Sequence, residues 1–492
     1  MVSRFPMAEE WKGPTEKLDE FRYLIPKSYK PAMRTDGLIF ADAKMMEQVK
    51  KDFAPEQVAN VATMPGIVGR SMAMPDIHWG YGMPIGGVAA FDYDEGVLSP
   101  GACGYDVNCG VRLVRTDLTE KDVRPKLKEL VDTCFHNVPS GVGEGGLLKV
   151  SKADLKEVTE RGVAWAVDKG YAWPGDPEHI EATGCLPDAD FSKVSERAIV
   201  RGKDQVGSLG AGNHFLEIQK VDRIYDEEAA KALGLAAVGQ VCVMIHTGSR
   251  GFGHQIATDY IATSERAIKR YNITLPDLQL ACVPIHSQEG QDYWRAMSCA
   301  ANFAWNNRQL ITHGTRKAFE KVLGRSADDL GMRIVYDVCH NIVKIEEHTI
   351  DGKRVKVAIH RKGATRAFPP GHPETPAAYK SVGQPVLIPG DMGTCSFVLV
   401  GLPTAMERSF GSSCHGAGRQ MSRKAAERMY RANEVVKALT DKGIYLHAAS
   451  KAGIVEEAPG AYKDVEHVVR VAEGAGLTKI VARMVPLGVV KG

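Results

Sequence analysis

The sequence predicts a single large domain that mixes strands with helices and carries its chemistry where strands end. Short apolar runs bounded by glycine turns read as buried strands. The stretch 419–439 is rich in helix formers, with Met421, Ala425, Met429, Val435 and Leu439 at helical spacing. The 492 residues suffice for a large core and run without a linker, a low-complexity segment or a regular repeat.

In chain order, the first strand candidate is 111–114, entered directly from Asp106-Val107-Asn108-Cys109-Gly110. The run 213–218 is launched from a glycine turn at 207–212 and places His214 at its start. The apolar run 241–245 ends at His246 and the turn 247–251, and 333–339 ends at His340-Asn341. Charged, helical-looking stretches at 229–233 and 264–272 read as surface additions. A G-x-G-x-x-G pattern at 141–146 follows no clear strand and lies in no βαβ unit, so a dinucleotide fold is not expected.

Composition narrows the function. A net charge of +2 gives no global basic field, so a nucleic-acid partner must use a local patch. Residues 1–13 lack the apolar core of a secretory signal. No stretch of about 18 apolar residues offers a membrane span. Ten cysteines without a CxxC pair, several of them inside apolar runs, fit reduced thiols in a cytoplasmic protein.

The strand ends gather one carboxylate, one thiol and three imidazoles: Asp106, Cys109, His214, His246 and His340. Strand ends beside glycines are where ligands and catalytic groups collect. Softness alone suggests zinc, and a bridging thiolate lets five ligands serve more than one ion. Taken singly, each histidine reads more readily as a hydrogen-bonded core or loop side chain, and it is the joint pattern that points to metal. His415 lies in GSSCHGAGR, residues 411–419, ahead of the helix-forming segment. An imidazole beside unpaired helix-start amides suggests phosphate chemistry through a phosphorylated or nucleotidylated histidine; the plainer reading is a loop histidine near a helix cap. Arg250, Arg361, Lys362, Arg366 and Arg419 in glycine loops suit a phosphate backbone, or else are solvated surface charge.

The runs MPDIHWGYGMPIGG (74–87), DVNCG (106–110), GNHFLE (212–217), HTGSRG (246–251), DVCHN (337–341), RKGATR (361–366) and SCHGAGR (413–419) together resemble the RtcB family of RNA ligases. The resemblance implies an α+β fold in one catalytic domain over residues 1–492. It also implies the joining of 3′-phosphate or 2′,3′-cyclic phosphate RNA ends to 5′-hydroxyl ends, with GTP and two manganese ions, in tRNA splicing and RNA repair. By resemblance, His415 attacks GTP and carries GMP. Cys109 is shared by both ions, with His214 and His246 on one and Asp106 and His340 on the other. Asn213, His214, Phe215, Leu216, Glu217, His340, Asn341, Pro389, Gly390, Asp391, Met392, Ser396, His415, Gly416, Ala417 and Gly418 match the guanylate pocket. Lys491 matches a lysine that reads guanine, and Arg250 and Arg419 fall where the family contacts RNA. Partners implied are tRNA halves or cleaved RNA ends and an archease-type activator, with no membrane. Two other classes stay open: a metal-dependent cyclic phosphoesterase, and a non-catalytic metal-containing RNA-binding protein. A penultimate lysine would ordinarily fray, yet the apolar tail 480–490 should pack.

Overall fold

Two large sheets organise the chain in this computed structural model, which describes residues 10–492. The first nine residues, on which the secretory-signal expectation partly falls, lie outside the described residues. One sheet has seven strands in the order Glu16–Lys17, Arg22–Ile25, Gly37–Phe40, Ile67–His78, Ile85–Asp92, Lys353–Lys362 and Asn341–Ile350. The other runs Arg333–Cys339, Gly110–Thr119, Gln240–Thr247, Phe215–Ile224, Thr478–Lys491, Ser396–Gly401 and Pro385–Ile388, with Tyr445–Ala448 added parallel to Thr478–Lys491. Most neighbours in both sheets are antiparallel and helices occupy separate stretches, so the fold is α+β. Among the described residues, no helix is long and apolar enough to cross a membrane.

Register does the positioning. Cys339 pairs with Gly110, Gly110 with Thr247, His246 with Phe215, and Phe215 with Lys491. One row across four adjacent strand pairings therefore brings together segments more than a hundred residues apart. A short ladder, Ala364–Arg366 with Ser412–Cys414, then carries His415 over that row.

The helix Gln288–Leu323 is the largest element, 36 residues and about 54 Å long at 1.5 Å per residue. The Ser287 side chain accepts from the Gly290 amide to start it, and Gly324, in the left-handed region at φ 69°, ends it. Its middle is buried although it holds Asn302, Asn306, Asn307 and Arg308. Those amides and the guanidinium replace water for loop backbones. Asn307 accepts from the amides of Gly207 and Ser208 and donates to the carbonyls of Ser208 and Gly248. Both glycine loops that flank the metal-type ligands are thus pinned to one helix.

Three expectations change. The surface additions are integral: Ala229, Ala230 and Leu233 pack into an apolar cluster on one sheet face, and Ser264 and Ala267 are buried along the helix Arg250–Ala267. The segment 419–439 does not form one helix. Ser422 caps Arg423–Met429, whose run stops at an extended Tyr430, and Ala432–Asp441 follows. The amides at 416–419 are therefore loop amides, because Ser422 offers a better cap than the glycines before it. Arg361, Lys362 and Arg366 are neither solvated nor open to phosphate; they lie on buried strand ladders. Arg361 forms a paired contact with Glu346 at 2.6 and 3.0 Å. Arg366 holds Glu374 at 2.6 Å, and Lys362 donates to the Gly101 carbonyl at 3.0 Å.

Candidate active site

All five ligand-type side chains converge. Cys109 Sγ lies 3.5 Å from His214 Nε2 and 3.3 Å from His246 Nε2. His214 Nε2 is 3.0 Å from Asp106 Oδ2, and His246 Nε2 is 3.3 Å from His340 Nε2. They sort into two trios that share the sulfur: Asp106, Cys109 and His214, and Cys109, His246 and His340. The pairing implied by resemblance joined His214 to His246 and Asp106 to His340. The close contacts among these groups are His214 to Asp106 and His246 to His340, and both His214 and His246 reach Cys109.

This donor set fits metal ions. Within each trio all ligand atoms lie within 4.8 Å of one another, close to the span of about 4.0–4.6 Å that two bonds to one ion cover. Burial, then the neighbouring charged groups, pushes His246 and His340 well below the ordinary imidazole value. Both rings are therefore neutral, with lone pairs for a cation. Burial, then Asp106, pushes the Cys109 thiol well up, so a bound cation must supply the charge that makes it a thiolate. Burial alone would raise Asp106, but the His214 hydrogen bond and the Arg250 charge hold its carboxyl at about 2.

The loop that carries Asp106 and Cys109 is clamped from below. Asn108 takes φ 50°, and its amide donates to the Asn341 carbonyl. Arg308 donates to the carbonyls of Asn108 and Thr247, each at 2.8 Å, and its other edge is bound to Asp337. Gly248 is required by closeness: a Cβ there would come within 2.4 Å of Asp106 Oδ1.

His415 faces this centre, its ring 4.7 Å from that of His340. Its amide and Nδ1 both bond Asp76 Oδ2, at 3.0 and 2.5 Å. Asp76 is fully buried; desolvation pushes its carboxyl up, but the His415 charge and hydrogen bonds hold it below the ordinary value. A carboxylate on Nδ1 fixes that nitrogen as the protonated one and leaves the Nε2 lone pair free. Asp76 stands inside the quoted run 74–87, yet the sequence reading assigned it no role. Arg308 was missed too; the available signal was a polar cluster, Asn306 to Gln309, inside an otherwise apolar helix.

A cavity of about 240 Å³ opens between the two. Of the pocket residues expected from sequence, Asn213, Phe215, Glu217, His340, Asn341, the loop 389–392, the run 415–418 and Lys491 all line it. Leu216 and His214 do not; strand alternation turns Leu216 into the apolar cluster on the far face, and His214 lies against Asp106 and Cys109. Ser396 sits beneath the loop, its hydroxyl accepting from Gln219 at 3.1 Å and from the Gly390 amide at 3.4 Å. Lys491 is buried in a strand rather than frayed, 3.9 Å from Glu457. Of the two arginines expected at RNA, Arg419 lines the cavity, bound to Glu457 at 3.1 Å, whereas Arg250 turns inward to 3.1 Å from His214 Nδ1.

Burial pushes the Glu217 carboxyl up to about 7, against the Gln219 hydrogen bond and the Lys491 charge. The unfolded chain gives up that proton near 4.5. The folded protein therefore holds an extra proton between these values. Stability from this group is full below pH 4.5, falls as pH rises to about 7, and is level above. Glu217→Gln should gain on the parent from pH 5 to pH 8 by roughly 3 kcal/mol, or about 3 °C for a chain of this size. Parallel melting curves at both pH values would remove Glu217 from this role.

Fold and site together define an α+β protein with a buried Cys/His/Asp cluster suited to metal, opposite a histidine held by a buried carboxylate. A family model described as tRNA-splicing ligase RtcB matches residues 57–492. A tRNA-splicing ligase RtcB of Thermococcus kodakarensis is 57% identical over 479 residues, covering 97% of this chain and 99% of that protein. Proteins of the same description from Aeropyrum pernix and Archaeoglobus fulgidus are 56% and 54% identical, covering 97% and 98% of this chain and 100% and 99% of theirs. The chain belongs to the RtcB family.

Proposed function

We propose that this chain is an RNA ligase of tRNA splicing and RNA repair. It joins 3′-phosphate or 2′,3′-cyclic phosphate ends to 5′-hydroxyl ends, using GTP and two manganese ions, with residues 1–492 as one catalytic unit. The observation that carries the reading is His415, with Nδ1 held by Asp76 and Nε2 free, facing the shared-thiolate centre across one cavity. Cys109 would be common to both ions, with His214 and His246, which both reach its sulfur, completing one set and Asp106 and His340 the other, as the resemblance implies. Bound there, the ions would offset the negative charge of the phosphates.

The chain's own residues supply the rest. His415 Nε2 attacks the α-phosphorus of GTP and expels pyrophosphate, while the Nδ1 proton stays against Asp76, which stabilises the charged ring. GMP then passes from His415 to an RNA 3′-phosphate oxygen. That gives the phosphate a leaving group, since an unactivated phosphate dianion repels a nucleophile. The 5′-hydroxyl attacks the RNA phosphorus, GMP leaves, and the original 3′-phosphate becomes the junction. A cyclic end is hydrolysed to a 3′-phosphate first. Ten thiols, none of them in a disulfide, suit a reducing cytoplasm, and an archease-type protein is the partner expected to speed turnover.

RNA labelled at its 3′-phosphate, mixed with 5′-hydroxyl RNA, GTP and manganese, should yield a product that retains the label at the junction. Cyclic-phosphate opening without joining would point to the phosphoesterase class instead.

Lys491 sets the base preference. Its ammonium has donors only, which match guanine O6 and N7 but meet a donor at the corresponding position of adenine. Burial lowers its pKa, with Glu457 and Glu217 opposing. Lys491→Ala should narrow the preference for GTP over ATP by about 1–3 kcal/mol, read as the rates of His415 labelling with each nucleotide. An unchanged preference would mean that Lys491 does not read the base.

A further inference from the structure

Beyond the guanylate cavity, a second cavity of about 490 Å³ shares His78, Arg419 and Arg423 with it. Its most distinctive wall is Trp79, which remains 37% exposed. Trp79 follows the strand Ile67–His78 that carries Asp76, only three residues from the carboxylate that holds His415.

The indole is exposed but not loose. The next residue, Gly80, exchanges two hydrogen bonds with the Gln57 side chain, at 2.6 and 3.0 Å. Phe53 and the indole pack perpendicular to one another with ring centroids 6.3 Å apart. An aromatic ring held in place and more than a third exposed is a ready stacking surface. Met421 adds an apolar wall, and Lys51 and the half-exposed Arg423, whose Nε side is held by Glu456 and Glu457 at 3.6 and 3.4 Å, line the pocket. Asp52, the acid of the set, is turned inward to accept the amide of Ala54 at 2.7 Å. The pocket therefore offers a flat apolar floor under cationic edges, continuous with the place where a phosphate must react.

We infer that Trp79 is a nucleobase shelf: an unpaired base at a reacting RNA end stacks on the indole, and Lys51 and Arg423 face its backbone phosphates. Flat faces joined by anionic links are the chemistry that such a floor and rim recognise, and single-stranded RNA is bound through stacking of this kind. This inference rests on the ligase reading above. It adds a binding determinant that neither the metal centre nor the guanylate cavity contains.

The test compares the intact parent, Trp79→Ala and Trp79→Phe in joining 3′-phosphate to 5′-hydroxyl RNA, with normal or abasic terminal nucleotides. Trp79→Ala should raise the KM for RNA about 5- to 150-fold, the range for one base–aromatic stack. Trp79→Phe should recover most of that. An abasic nucleotide at one of the two ends should raise the parent's KM to a similar degree, and should add nothing further in Trp79→Ala. Because the abasic arm uses the unaltered protein, it reads the shelf even if a variant folds poorly. The loss should fall on RNA joining, not on labelling of His415 by GTP. A KM indifferent to both Trp79 and the terminal bases would overturn the shelf while leaving the ligase intact. A loss seen only when a protein activator is added would overturn it in favour of protein docking. Failure of the parent to be labelled by GTP would overturn the ligase reading itself.

Discussion

His415→Ala is expected to abolish both GMP transfer to the protein and joining of 3′-phosphate RNA, a loss of at least ~10⁴-fold, as for other covalent nucleophiles. The ring meets the centre with a free nitrogen and is fixed by a buried carboxylate on its other side. Alanine removes the nucleophile while leaving the Asp76 bond from the residue-415 amide available, so the loop should keep its path. RNA that already carries a 3′-guanylate should still be joined, since the histidine's task is complete once GMP has moved. Comparing the two substrates on the same protein separates the roles. Loss of both reactions would mean that His415 also acts in sealing.

Cys109→Ala is expected to strip metal from both sites together. The sulfur belongs to each trio, so one substitution takes a ligand from both. Loss of only an outer partner of a ligand already costs about 10–100-fold in affinity, and loss of the shared ligand should exceed 100-fold. Folding should survive. The side chain is small, and the loop is held independently by Asn108, Arg308 and the Asn341 carbonyl. Metal analysis of purified protein, with a titration of each ion, checks this. Two ions bound as tightly as in the parent would remove Cys109 from the centre.

How much of this was legible before the structure depends on range. Gln240–Thr247 and Arg333–Cys339 were readable because apolar runs bounded by glycines have few alternatives, and their terminal histidines came with them. That the five ligands converge in space was not readable from spacing, since it depends on strand order, which spacing along the chain does not encode. Arg361 and Arg366 misled for a related reason. A cation in a polar stretch looks solvated until its buried partners, Glu346 and Glu181, arrive from other segments. Asp76 lay in plain view in sequence, but its role required knowing that Gly418 folds back on it. A Cβ at residue 418 would meet the Asp76 carbonyl at 2.4 Å, and φ there is +74°. The helix start near 419 failed locally, because Ser422 outcompetes a glycine run as a cap. Lys491 went the other way: the apolar tail before it signalled packing, and Thr478–Lys491 packs as a strand.

His415 is expected to take GMP from GTP beside the Asp106, Cys109, His214, His246 and His340 cluster. Intact protein incubated with α-labelled GTP and manganese should gain one label, lost in acid and kept in alkali as a phosphoramidate requires, and peptide mapping should place it on His415. A label stable to acid, a label on another residue, or no label while RNA is still joined would contradict the account.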